Sequence, residues 1–129
     1  MRPLLAVDAT PIISALIGGF SREILFDHNF EFITTEFTVG EVMNYIPYIA
    51  KKTNLPEEFI TFLLGLLPLK VYKKEEYRDY IPTAQQLIAD PGDVDILALA
   101  LAKKCPLWSN DTDFEGIPEI RLVKTKDFA

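Results

Sequence analysis

The 129-residue chain contains one cysteine and one histidine, and this scarcity excludes two kinds of site. Cys105 has no second cysteine with which to form an internal disulfide. One thiol and one imidazole, at His28, are too few for a Cys/His zinc site. We interpret Cys105 as a small buried side chain and His28 as structural. A chain of this length buries roughly two thirds of its unfolded surface, so we expect a single domain over residues 1–129 without such supports.

The sequence also lacks a hydrophobic run long enough to cross a membrane. The longest apolar stretch, residues 59–69, is interrupted by Thr61, Gly65 and Pro68. It is far shorter than the about 20 residues of a membrane-spanning helix. Asp8 interrupts the first segment too early for the core of a signal peptide. We therefore expect a soluble protein of the reducing cytoplasm, with no membrane partner.

Positive charge is in deficit, and the formal net charge is −6. This counts against a module that coats nucleic acid, because phosphate binding relies on a basic surface. It does not count against an enzyme that reaches phosphate through a cation held by acidic residues. A glycine-rich phosphate loop is absent, because Gly18-Gly19 has neither the spacing nor the lysine of a P-loop. The nucleophile motif Gly-x-Ser-x-Gly is missing as well.

Short apolar segments alternate with helix-like segments, which favours an α/β fold around a mostly parallel sheet. Strands are predicted at residues 4–7, 31–34, 69–72, 107–109 and 120–124, and helices at residues 11–16, 21–28, 39–52, 56–64, 82–89 and 94–104. Thr10 is predicted to cap the first helix, with Pro11 at its first position. The last helix is apolar nearly all round, so we expect it to be central and buried.

Several acidic residues share one position, the point where a predicted strand ends and a helix or turn begins. They are Asp8, Glu41, Asp93, Asp95, Asp111 and Asp113. Because the carboxyl ends of parallel strands face a common crevice, four distant segments would bring these acids together. Such carboxylates repel one another unless a cation lies among them, and oxygen ligands suit Mg²⁺ or Mn²⁺. These ions promote phosphodiester hydrolysis, since they align the phosphate and lower the pKa of a bound water.

Each acid also has a purely structural interpretation. Thr38 and Glu41 have the spacing of a capping box, which leaves Glu41 alone undecided. Asp93 is also explained as an acid in a first helical turn that Asp90 caps. The two acids after the fourth strand are common turn formers. Asp8 has the weakest structural explanation, because the preferred cap of the following helix lies two residues later. A single acidic crevice explains the whole set.

Four segments in sequence order resemble the motifs of one family. They are residues 4–14 (LLAVDATPIIS), 33–42 (ITTEFTVGEV), 93–100 (DVDILALA) and 107–114 (LWSNDTDF). The first is similar to a strand that ends in Asp, and the second to a helix that carries a glutamate. The third is similar to an Asp that leads into an alanine-rich buried helix. The fourth is similar to a strand followed by Ser or Thr and then Asp-x-Asp-Phe. These are motifs of the PIN-domain family, which includes VapC-like ribonuclease toxins and related RNA-processing nucleases.

The resemblance implies a Rossmann-like, three-layer α/β/α sandwich and a Mg²⁺- or Mn²⁺-dependent endoribonuclease that cuts single-stranded RNA. It assigns the catalytic acids to Asp8, Glu41, Asp93 and Asp111. Asp113 is then either an auxiliary metal ligand or a residue that orients one. Asp95 is an extra acid that substitutes for Asp93 as a ligand if the helix begins later than predicted. The resemblance further implies a toxin of a toxin–antitoxin pair that is inhibited by an antitoxin peptide, or an RNA-processing enzyme, and a homodimer.

Two other functions stay open. A phosphoacceptor signalling domain of the receiver kind also gathers acids around Mg²⁺, but it needs paired acids after its first strand, where Asp8 is single. A catalytically silent PIN-fold interaction domain would keep the fold and bind a partner, although the presence of all four acids counts against it. The residues alone do not decide between one metal ion and two.

Overall fold

The computed structural model describes residues 2–129 and contains one five-stranded sheet. Its strands are β1 (Leu4–Val7), β2 (Glu31–Thr35), β3 (Leu69–Tyr72), β4 (Leu107–Trp108) and β5 (Leu122–Val123). Their order across the sheet is β3-β2-β1-β4-β5, and every neighbouring pair runs parallel. The chain therefore extends the sheet from β1 to one side and then returns to extend it on the other side.

Seven α-helices of residues 2–129 cover the two faces of the sheet. They are α1 (Ala9–Ile17), α2 (Phe20–Leu25), α3 (Glu36–Asn44), α4 (Ile46–Thr53), α5 (Glu57–Leu66), α6 (Ile81–Leu87) and α7 (Val94–Lys103). Short 3₁₀ turns occupy Lys74–Glu76, Arg78–Tyr80, Pro91–Asp93, Thr112–Phe114 and Thr125–Phe128. Across the described residues, no helix has the length and apolar character required to cross a membrane.

Alternation of side chains along the strands produces two hydrophobic cores, one on each face of the sheet. Leu5 and Val7 of β1 belong to the core that α1 to α5 complete, whereas Ala6 between them belongs to the core of α6 and α7. On β2, Phe32 and Ile33 divide between the two cores in the same way. Two helical layers with a parallel sheet between them confirm the predicted three-layer α/β fold.

Helix α7 is buried along most of its length, as its apolar sequence predicted. The run from Val94 to Ala100 is buried without interruption, and the helix packs against β1 and β2. Lys104 ends the helix in a left-handed conformation with φ of 51°. Because α7 crosses the middle of the sheet, its amino-terminal end lies where the central strands end. The residues just before it are thereby brought to the carboxyl edge of the sheet.

The helix predicted over residues 39–52 is instead two helices, α3 and α4, which meet at Tyr45. Pro47 lies in the first turn of α4. Proline has no N–H, so in a continuous helix it could not donate to the carbonyl of Met43. The chain therefore ends one helix and begins another, and α3 becomes a short element whose position is set by β2.

Candidate active site

Asp8 lies at the carboxyl end of the central strand β1 and is only 6% exposed. It is the N-cap of α1, and its Oδ1 accepts a hydrogen bond from the Ala9 N–H at 2.8 Å. The prediction that Thr10 caps α1 is wrong, because the helix begins directly after the strand and Thr10 lies in its first turn. Asp8 Oδ2 accepts a hydrogen bond from the Ser109 hydroxyl at 2.7 Å. Both carboxylate oxygens of Asp8 are therefore held in place.

Ser109 links the acids that follow β1 and β4. It is fully buried, and while its hydroxyl donates to Asp8, its Oγ accepts the backbone N–H of Asp111 at 3.0 Å. The two strands are neighbours, with Val7 paired to Trp108, and between them the direction of sheet growth reverses. Ligands of open α/β sheets bind at such a switch point. The motif at residues 107–114 included Ser109, but only the pairing of β1 with β4 shows what its hydroxyl binds.

Glu41 reaches the same edge of the sheet from α3. That helix begins at Glu36, and its cap is Thr35, whose Oγ1 accepts the Thr38 N–H at 2.9 Å. The predicted capping box of Thr38 and Glu41 is therefore wrong. Glu41 lies in the second turn, half-buried, without the capping role that could have explained it.

Asp90 precedes the 3₁₀ turn Pro91–Asp93 that leads into α7, and Asp93 is its last residue. As predicted, Asp90 is a cap, and its Oδ1 accepts the Gly92 N–H at 2.9 Å. Asp93 is 8% exposed, and its Oδ2 has no hydrogen-bond partner among residues 2–129. A Cβ on Gly92 would lie 3.3 Å from Asp90 Oδ1 and 3.3 Å from Glu41 Oε2. Glycine thus lets both carboxylates approach the backbone beside Asp93.

The loop after β4 carries the last two predicted acids. Asp111 caps the turn Thr112–Phe114, and its Oδ1 accepts the Asp113 N–H at 2.9 Å. The structural interpretation as a turn former therefore holds for Asp111. Asp113 is exposed, yet one oxygen each of Asp90, Asp93 and Asp113 lie within 4.8 Å of one another. Asp90 was predicted only as a cap, because that explanation accounted for it fully.

Asp95 has a partner of its own. It is buried in the first turn of α7, and its Oδ2 accepts a hydrogen bond from the Tyr77 hydroxyl at 2.5 Å. Burial and this bond raise the pKa of Tyr77 above its ordinary value, so the hydroxyl remains a donor. The helix begins at Val94, where it was predicted, so the condition under which Asp95 would replace Asp93 is not met. No sequence pattern connected Tyr77 with α7.

Burial and mutual repulsion act together on two of these carboxyls. Burial raises the pKa of Asp8, the hydrogen bonds from Ser109 and Ala9 oppose the rise, and the charge of Asp111 adds to it. Burial also raises the pKa of Glu41, and the charges of Asp8, Asp90 and Asp95 raise it further. Acids from separate segments therefore lie close enough to disfavour one another's ionised form.

Asp93 shows the largest such shift. Burial raises its pKa to about 7, and the charges of Asp111, Asp8 and Asp90 contribute, as does the neighbouring Asp113 carboxylate. We refer to the six linked carboxylates as the acidic cluster. Its members are Asp8, Glu41, Asp90, Asp93, Asp111 and Asp113.

No lysine or arginine within residues 2–129 forms an ion pair with the acidic cluster. Lys124, which follows β5, pairs with Glu115 instead. The donor set consists of carboxylate oxygens, and one of them, Asp93 Oδ2, is buried without a partner among these residues. Such oxygens suit a hard divalent cation such as Mg²⁺ or Mn²⁺. The residues present therefore fit a metal ion of this kind.

Comparisons with known proteins agree with this fold. A sequence model described as PIN domain matches residues 6–126. No curated protein matches the chain significantly. A solved VapBC2 structure from Rickettsia felis, bound to a DNA fragment from its promoter, is similar with a TM-score of 0.67 and 17% identity, covering 94% of this chain and 98% of that chain. A toxin–antitoxin complex from Klebsiella pneumoniae is similar with a TM-score of 0.67 and 22% identity, covering 94% and 97%.

We expect the metal-free protein to lose stability as the pH rises from about 4 to about 7. Asp93 stays protonated in the folded protein up to its pKa of about 7, whereas in the unfolded chain it ionises near pH 3.9, roughly the value of model peptides. The unfolding free energy should therefore fall by up to about 1.4 kcal/mol per pH unit in this window. Asp93→Asn, which cannot ionise, should reduce this slope in urea titrations with EDTA.

The matched control is Asp79→Asn, because Asp79 is exposed. It should keep the slope of the parent protein. A parent and an Asp93→Asn variant with the same slope would show that Asp93 is ionised throughout this range.

Proposed function

The chain belongs to the PIN-domain family, and we propose that it is a Mg²⁺- or Mn²⁺-dependent endoribonuclease that hydrolyses phosphodiester bonds of single-stranded RNA. The observation that carries this proposal is the acidic cluster, in which burial and repulsion raise the pKa values of Asp8, Glu41 and Asp93. Within residues 2–129 no lysine or arginine pairs with it. A divalent cation would remove the repulsion and satisfy the buried oxygen of Asp93.

We assign the ligands of the catalytic ion to Asp8, Glu41 and Asp93, with Asp111 orienting the attacking water or a further ion. When bound, the ion aligns a phosphodiester and lowers the pKa of a coordinated water. Asp93 is preferred over Asp95, because Asp93 Oδ2 is unpartnered among residues 2–129 whereas Asp95 Oδ2 accepts the Tyr77 hydroxyl.

Ser109 and the backbone set the geometry of these ligands. Hydrogen bonds from Ser109 and Ala9 hold both oxygens of Asp8, which prevents the carboxylate from rotating away from the crevice. The same Ser109 Oγ accepts the N–H of Asp111 and thereby fixes the start of the loop after β4. Loss of a partner that orients a metal ligand in this way typically costs about 10- to 100-fold in metal affinity or activity.

An exposed aromatic residue beside Glu41 supports a single-stranded substrate. Phe37 lies four residues before Glu41 on α3, so the two side chains share one face of the helix. Its ring is 44% exposed. Unpaired bases stack on aromatic rings in this setting, whereas bases inside a duplex are not free to do so. A base stacked on Phe37 would place its neighbouring phosphate near the acidic cluster.

Replacement of Asp8 should separate catalysis from folding. Asp8→Asn keeps an oxygen that can accept the Ala9 N–H, so helix α1 should stay capped, but it removes the charge that holds the ion. We expect kcat/KM for Mn²⁺-dependent cleavage of an unstructured fluorescent RNA to fall by about 100-fold or more. Asp79→Asn, with the same chemical change at an exposed site, should cleave like the parent.

Circular dichroism should show the same fold for all three proteins. An Asp8→Asn variant as active as the parent would contradict the assignment of this site. A well-folded parent with no cleavage at millimolar Mn²⁺ would favour the catalytically silent interaction domain.

We further propose that the protein is the toxin of a toxin–antitoxin pair. The similar structures from Rickettsia felis and Klebsiella pneumoniae are toxin–antitoxin assemblies. Helices α3 to α5 and the residues that connect them also expose large apolar side chains, which a partner peptide would cover. These are Phe37, Met43, Tyr45, Tyr48, Leu55, Phe59, Phe62 and Leu66. An antitoxin peptide bound there would lie beside Glu41. Homodimerisation, which the family resemblance implies, stays a prediction.

Expression in a bacterial host should distinguish a toxin from an RNA-processing enzyme. We expect induction of the parent chain alone to arrest growth, because unrestrained cleavage of RNA depletes essential transcripts. The Asp8→Asn variant, expressed to the same level, should leave the growth rate unchanged. Normal growth with an active parent enzyme would contradict the toxin role while leaving the nuclease assignment in place.

A further inference from the structure

We infer that Asn110 and Thr125 are positioning residues for the proposed nuclease, because their side chains hold the start of the loop that carries Asp111. The inference rests on the proposed function, in which Asp111 orients the attacking water or a further ion. It adds to the site two residues from outside the acidic cluster, one of which lies in the 3₁₀ turn after β5.

Three hydrogen bonds converge on Thr125. Asn110 pairs with it twice, because Asn110 Oδ1 accepts the Thr125 N–H at 2.9 Å and Asn110 Nδ2 donates to Thr125 Oγ1 at 2.9 Å. The indole N–H of Trp108 donates to the same Thr125 Oγ1 at 3.0 Å. We refer to Trp108, Asn110 and Thr125 as the latch. It joins the end of β4 to a turn that follows 15 to 17 positions later in the chain.

The turn that receives these bonds is itself held in place. Asp127 Oδ2 accepts the Lys124 N–H at 2.8 Å, which closes the turn Thr125–Phe128. The ring of Phe128 packs against the buried indole of Trp108, with their centroids 5.2 Å apart. Because the turn is hydrogen-bonded and packs on the core, it gives the loop after β4 a fixed support.

The latch acts at the place where the chain leaves the sheet for the acidic cluster. Asn110 stands between Ser109, whose hydroxyl donates to Asp8, and Asp111, whose N–H donates to Ser109 Oγ. Asn110 is exposed, so its bonds to Thr125, and not burial, fix its position. Consecutive Cα atoms are only about 3.8 Å apart, so a rotation of the backbone at Asn110 would move the Asp111 carboxylate.

The competing explanation is that the latch only adds stability. In that case its loss would lower the melting temperature without changing the loop at Asp111 or the rate of cleavage. Hydrogen exchange of the Asp111 N–H distinguishes the two explanations. It reports the bond from this N–H to Ser109 Oγ, and its measurement needs neither metal nor RNA.

The test begins with Thr125→Val, which keeps the shape of the side chain and removes the oxygen that Asn110 and Trp108 share. Trp108 is the only tryptophan, so a single indole N–H signal in the NMR spectrum shows whether the latch is broken. In EDTA, exchange of the Asp111 N–H should be about 10-fold faster than in the parent, beyond any change at Leu97, which reports global unfolding. Thr125→Ser should restore both the signal and the exchange rate.

Cleavage of an unstructured RNA with saturating Mn²⁺ is the second readout. We expect kcat of Thr125→Val to fall by about 10-fold or more. KM for RNA should stay unchanged, because the latch contacts the loop of Asp111 and not the ring of Phe37 proposed to stack a base. Thr125→Ser should recover kcat. The matched control is Thr83→Val, the same change at an exposed position of α6, which should equal the parent in both readouts.

Asn110→Ala, at an exposed position, is a second variant that should show the same faster exchange and lower kcat. An indole signal of Trp108 that Thr125→Val leaves in place would contradict the latch. A broken latch with unchanged exchange at Asp111, or with unchanged kcat, would overturn the inference, as would a loss that Thr125→Ser does not recover. A parent that cleaves no RNA contradicts the nuclease, whereas the exchange rate still decides whether the latch positions Asp111.

Discussion

Repulsion among carboxylates at the carboxyl edge of the sheet is the constraint on which the rest of this site depends. Asp8, Glu41 and Asp93 come from three distant segments, and burial together with neighbouring charges raises the pKa of each. The hydrophobic cores on the two faces of the sheet hold β1, α3 and α7 in place and so keep these acids together. No lysine or arginine of residues 2–129 pairs with them, which is why we propose a divalent cation as the counter-charge of this site.

Much of this architecture could be predicted from the sequence, because it depends on local patterns. The bounds of β1 and β3 match the predicted residues 4–7 and 69–72, and α7 differs from its predicted range by one residue. The length of each apolar run distinguishes a buried helix from a buried strand: the run in α7 is long, and those in the strands are short. The meeting of Asp8 and Asp111 at one edge then follows from parallel strands, whose carboxyl ends lie together. Asp93 reaches the same edge because it stands at the amino-terminal end of the central helix α7.

The parts that could not be predicted depend on the positions of neighbouring elements. Thr10 and Thr38 are good caps by residue type, but α1 and α3 begin directly after their strands, so Asp8 and Thr35 occupy the cap positions. The hydrogen bond between Ser109 and Asp8 joins residues 101 positions apart, which no local pattern specifies. Tyr77 was missed for the same reason, since its contact with Asp95 is tertiary. Asp90 was predicted only as a cap, a role that accounted for it without a place in the cluster. Pro47, by contrast, was a visible signal for the break between α3 and α4.

The central claim is that these acids converge in order to hold a metal ion, and anomalous diffraction tests it most directly. Crystals soaked in millimolar Mn²⁺ and measured at the manganese absorption edge should show a strong peak in contact with Asp8, Glu41 and Asp93. The same peak should be absent from crystals of Asp8→Asn. A parent crystal with no peak at this edge of the sheet, or with a lysine side chain seated among the three carboxylates, would contradict the account.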